Sequence, residues 1–115
     1  MIKRATILFL LFASIASANK VEINRYIVEG RWSTAIVTYT NTTKDTYDII
    51  RINCVVYDKD GKAIATVEES LYYFEYGLFG PGFKKTFELN IPLRGAVPEE
   101  IKCDGRCREY NSRLD

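Results

Sequence analysis

From residue 19 onward, apolar and polar side chains alternate in short runs broken by turn residues, the period-two pattern of half-buried strands. Residues 47–57 carry it most clearly: Ile50, Ile52, Cys54 and Val56 point one way, and Arg51, Asn53, Val55 and Tyr57 the other. Residues 21–28 and 32–40 read as two earlier strands, the second dense in Thr, Val, Ile and Tyr, which suit a pleated surface. Asp58-Lys59-Asp60-Gly61 predicts a hairpin turn in which Gly61 takes a positive φ, with residues 62–71 returning as the partner strand. A less regular strand is expected over 71–83, ending at the Pro81-Gly82 turn. Residues 83–91 form a further strand that Pro92 ends, because proline lacks the ladder N–H. A last short strand is expected over 99–103, followed by a charged tail from Arg106. No convincing helix is predicted. About seven antiparallel strands in one domain over 19–115 point to an all-β, immunoglobulin-like β-sandwich.

The first eighteen residues follow another logic. Lys3 and Arg4 precede an apolar stretch from Ala5 to Ile15, and Ala16-Ser17-Ala18 is a small-x-small cleavage site. That stretch falls short of the roughly 20 apolar residues a membrane span needs, so a signal peptide over 1–18 is expected, with no stable membrane insertion after its removal. The chain is then exported, periplasmic or secreted. Cleavage takes the formal net charge from +1 to −1, a balance that gives no basic excess for nucleic acid.

The stretch from Tyr39 to Pro92 resembles the FxLYD family of exported or membrane-anchored bacterial and archaeal domains. The matching residues are Thr40-Asn41, Cys54-Val55-Val56-Tyr57-Asp58, Asp60-Gly61, Pro81-Gly82 and Phe87. Tyr57 and Asp58 keep the name motif, whereas Cys54 and Val56 stand where Phe and Leu are expected. The resemblance covers about half of the chain after residue 18. It implies an immunoglobulin-like fold, a core position for Cys54 and an accessory or binding role without a common activity.

The chain contains no histidine, which removes the commonest general base together with Ser–His and Cys–His chemistry. The carboxylate pairs Asp58/Asp60 and Glu68/Glu69 read as solvated turn and strand residues, so no enzyme activity, cofactor or metal is expected. Residues 58–69 imitate a calcium loop at positions one, three and twelve, but Lys62 stands where an oxygen ligand belongs and Ala63 where the turn glycine belongs. Asn41-Thr42-Thr43 is a formal glycosylation sequon, read here as a polar loop cap.

Export draws attention to Cys54, Cys103 and Cys107, an odd set that leaves one thiol over. Proximity in sequence favours Cys103–Cys107, with Gly105 turning the chain between them. The alternative, Cys54–Cys103, ties the central strand to the last one. A partner surface is expected around Tyr72, Tyr73, Phe74, Tyr76 and Phe79: an extended strand cannot bury both faces of so aromatic a run, unless it bends between sheets and buries both sets. Arg51, Val55 and Tyr57 form a second candidate patch. The function so predicted is a non-enzymatic binding or accessory module of the cell envelope that recognises a protein or glycan. A second reading is a small inhibitor or immunity protein acting through Arg106 in a 103–107 loop. A third is a subunit that polymerises by strand exchange.

Overall fold

The computed structural model describes residues 4–7 and 19–110. The elements are β1 (Arg4–Ile7), β2 (Asn19–Glu29), β3 (Trp32–Asn41), β4 (Tyr47–Tyr57), β5 (Ala63–Tyr72), a single helical turn α1 (Tyr73–Tyr76), β6 (Lys84–Pro92) and β7 (Glu100–Glu109). They form two antiparallel sheets, one in the order β1-β2-β3-β6 and the other β5-β4-β7. The all-β sandwich expected from the alternation is what the chain forms.

Arg4 to Ile7, within the stretch expected to be a signal peptide, make the outer strand β1 and pair with Tyr26 to Glu29 of β2. The expected cleavage site Ala16-Ser17-Ala18 lies outside the described residues.

Alternation places the core. Ile50, Ile52, Cys54 and Val56 of β4 are fully buried against Tyr39, Val37 and Ala35 of β3, Ile91 and Leu89 of β6, and Ile101 of β7. The outward residues of β4 face solvent, as their period-two offset requires. The β4–β5 hairpin closes as the sequence predicts: Gly61 has φ 80°, and Asp58 Oδ1 accepts the N–H groups of Asp60 and Lys62, both at 2.9 Å. That carboxylate is committed to the turn, consistent with reading 58–69 as a hairpin.

Three expectations need correction. Residues 71–83 do not form a strand: β5 stops at Tyr72, the chain makes one helical turn, and Gly77 at φ 81° redirects it toward the other sheet. Nor does β7 stop at residue 103. It continues to Glu109, pairing with β4 from Tyr57↔Glu100 to Tyr47↔Glu109, so Arg106 lies within a strand. And Gly105 is not a turn. It faces inward, where an added Cβ would lie 3.0 Å from Val21 Cγ2 and 3.5 Å from Ile52 Cδ1. Its small size lets β7 close against β2 of the opposite sheet.

The disulfide follows from that register. Cys54 and Cys103 are directly opposed in the β4–β7 ladder, and they are bonded. Cys107 lies on the same strand as Cys103. In extended chain at about 3.4 Å per residue it is roughly 14 Å away, far beyond the about 7 Å limit for Cα atoms that share a disulfide. The sequence-proximity argument for Cys103–Cys107 fails because it assumes a bend where the chain runs straight. Cys107 is the free thiol.

Candidate functional site

The aromatic segment is held at both ends and released in the middle. Leu71, at 1% exposure, and Phe79, at 0%, are core residues, and Phe79 exchanges backbone hydrogen bonds with Tyr47 at 2.9 and 3.0 Å. Between these anchors the chain leaves the sandwich. Tyr73, Phe74, Tyr76 and Leu78 are exposed, Phe74 to 72%. The segment therefore bends between sheets, as its glycines allow, without burying the aromatic residues in between. Phe79 must be withdrawn from the expected partner-binding set. Tyr72 is half-buried, and Tyr73, Phe74 and Tyr76 remain as the accessible aromatics.

The turn is locally ordered. The Gly77 N–H donates to the Tyr73 carbonyl, and glycine's freedom at positive φ ends the helix after one turn. The rings of Tyr72 and Phe74 stack at 5.3 Å, and Tyr73 meets Phe74 edge-on at 5.9 Å. Lys85 places its Nζ 5.0 Å from the Tyr76 ring centroid, a cation–π contact across from β6. These contacts order the aromatics without shielding them from solvent.

Arginines adjoin the turn on the outer face of the three-stranded sheet. Tyr72 pairs with Ile49, which is opposite Arg108, and in the next outward row Ser70, Arg51 and Arg106 lie side by side. Arg108 grips Asp48 with two parallel bonds, Nε to Oδ1 at 2.9 Å and Nη2 to Oδ2 at 3.0 Å. That fork holds the Asp48 carboxyl below the usual aspartate range, its hydrogen bonds outweighing the opposing effect of burial. The second candidate patch, Arg51, Val55 and Tyr57, lies on this same face. Lys102 stands 5.5 Å over the Tyr57 ring and pairs with Glu100 at 3.2 Å.

Beneath the opposite surface of this sheet, Cys107 Sγ lies 3.3 Å from the Tyr39 hydroxyl, which also donates to Asn19 Oδ1. Burial pushes both the Tyr39 phenol and the Cys107 thiol up from their ordinary values. A thiol so held is a poor nucleophile. No group of three or more Cys, Asp or Glu residues is placed to hold a metal ion among the described residues.

The sequon asparagine is structural in the folded chain. Asn41 is 1% exposed; its Nδ2 donates to the carbonyls of Asp45 at 2.9 Å and Phe79 at 3.2 Å, and its Oδ1 accepts from the Thr43 N–H and hydroxyl. The nitrogen a glycan would occupy is already committed to two loops, so the polar-cap reading holds.

No family model, no curated protein and no solved structure matches this chain.

The aromatic run and Arg106 are visible in the sequence, but Arg106 belongs to a strand and not to a loop. The charged outward row of β7 is legible in the spacing: Lys102, Asp104, Arg106 and Arg108 keep the period of two that Ile101, Cys103, Gly105 and Cys107 keep on the inward face.

Proposed function

We propose that the chain is an exported, non-enzymatic binding module that inserts its aromatic turn into a pocket of a partner protein. The observation that carries this reading is the exposure of Tyr73, Phe74, Tyr76 and Leu78 on a turn rooted at both ends in the core. Leaving such area in water is unfavourable by roughly 25 cal/mol per Å², and contiguous exposed aromatics next to arginine are the composition of interface hot spots. A protein partner is favoured over a glycan because the rings crown a protruding turn, with Tyr73 edge-on to Phe74, instead of lying as a flat stacking platform.

Export is part of the proposal. It is supported by the buried Cys54–Cys103 bond, which suits an oxidising compartment, and by the leader-like residues 1–18. No helix among the described residues is long and apolar enough to cross a membrane. Removal of the leader would take β1 away and leave β2 as a sheet edge. A place among FxLYD-like accessory domains belongs to the same proposal, on the strength of the residues quoted above.

The inhibitor reading loses its main support, since residues 103–107 form no protruding loop. The test is crosslinking in the host envelope with Tyr73→Ala/Phe74→Ala/Tyr76→Ala beside the unaltered protein. The triple variant should keep its β circular dichroism and lose the crosslinked partner. Unchanged crosslinking with the fold intact overturns the reading.

A further inference from the structure

On the outer face of β4 and β7, Lys102 pairs with Glu100 and Arg108 with Asp48. Arg51 of β4 and Arg106 of β7 stand directly opposite each other in the ladder, both exposed, and neither forms an ion pair with a carboxylate among the described residues, the exposed Asp104 two positions along β7 included. Like charges at opposed positions destabilise a sheet, and the arrangement is relieved when an anion bridges them. The two line a shallow hollow of about 230 Å³ together with Ile49, Cys107 and Arg108. With the Arg108 fork committed to Asp48, Arg51 and Arg106 are the cations left to meet an anion there, and a carboxylate is the group a guanidinium binds bidentately.

The hollow lies over the seam between β4 and β7, and β7 is itself an unpaired strand edge. In the order β5-β4-β7, β7 is the last strand, and no described strand pairs with its outer side. An extended peptide can add there through main-chain hydrogen bonds, with its alternate side chains falling into the outward rows of Arg106 and Arg108. We propose that β7 and the Arg51–Arg106 hollow bind an extended acidic segment of a partner protein, added as a strand with a Glu or Asp carboxylate bridging the two arginines. This rests on the binding-module reading and gives the partner a chemistry: aromatic contact at the turn, an acidic strand beside it.

The probe is the peptide acetyl-Val-Glu-Val-Glu-Val-amide, with its Gln counterpart as control, titrated into the oxidised protein while the arginine Nε–H and backbone amide NMR signals are followed. The expected result is saturable shifts at Arg51, Arg106 and along β7. The Glu peptide should bind at least fivefold tighter than the Gln peptide, and Arg51→Gln or Arg106→Gln should each weaken it at least fivefold. Glu88→Gln, on the far sheet, should leave binding unchanged. Absence of binding, equal binding of the Gln peptide, or binding unaffected by either arginine variant overturns the proposal. So does a stronger response to oligogalacturonate or to phosphatidylglycerol vesicles, which would assign the arginines to a sugar acid or a lipid phosphate. If the envelope partner is lost from the aromatic triple variant but kept by the double variant Arg51→Gln/Arg106→Gln, the acidic-strand proposal falls and the aromatic reading survives.

Discussion

The Cys54–Cys103 bond closes a stretch with a sequence separation of 49 and should be the largest single contribution to stability outside the core. In the chain-entropy treatment, a crosslink over that separation restricts the unfolded chain by about 4 kcal/mol. A Cys103–Cys107 bond would be worth only about 2 kcal/mol on the same arithmetic. Four kcal/mol is a large share of the roughly 5–15 kcal/mol that holds a domain together. At an m-value of about 2 kcal/mol per molar, it corresponds to a urea midpoint lower by about 2 M. The assay is equilibrium urea unfolding followed by circular dichroism, with and without a phosphine reductant throughout the titration. Cys107→Ser should retain the full reductant-sensitive difference, and Cys103→Ala should abolish it. A midpoint shift below about 0.5 M, or a reductant effect that vanishes in Cys107→Ser, would refute both the pairing and the entropy argument.

Three further outcomes are expected. Phe79→Ala should destabilise by about 3–5 kcal/mol because it empties a fully buried site, whereas Phe74→Ala should stay within about 0.5 kcal/mol; thermal melts of the pair distinguish anchor from exposed ring. Gly105→Ala should cost about 1 kcal/mol through the 3.0 Å approach to Val21, and a variant as stable as the parent would show that β2 and β7 can separate freely. Asp48→Asn should alter the acid limb of stability: the folded carboxyl sits below its unfolded value, so the Arg108 fork contributes fully above the usual aspartate pKa of about 3.9 and is lost as pH falls through the lower folded one. Urea midpoints measured from pH 6 to pH 2 should therefore fall less steeply in Asp48→Asn.

What the chain's pattern discloses is uneven, for physical reasons. Ile50, Ile52, Cys54 and Val56 announce their strand because one face is buried and the other wet, and that contrast is what alternation records. Asp104-Gly105-Arg106 resembles a turn in the sequence, which hides the second half of β7. Glycine there serves a close approach between sheets, a tertiary demand invisible to local propensity. The aromatic segment was legible as unusual but not in shape. Tyr and Phe favour strands, and only the geometry of linking β5 to Phe79 imposes a helical turn on them. The free Cys107 was obscured for a related reason: sequence distance is a poor guide to spatial distance once a strand holds its ends apart.

One buried amide ties these regions together. The Asn41 side chain reaches Phe79 and Asp45, while its own backbone bonds with Gly82 and Phe83 at 2.9 and 2.8 Å. The arm that leaves the aromatic turn, from Phe79 to Phe83, is thereby fastened to the end of β3, at the rim of the neighbouring sheet. If the turn docks as proposed, a partner that pulls on it loads that rim, and part of the ordering cost of association is met in advance, during folding.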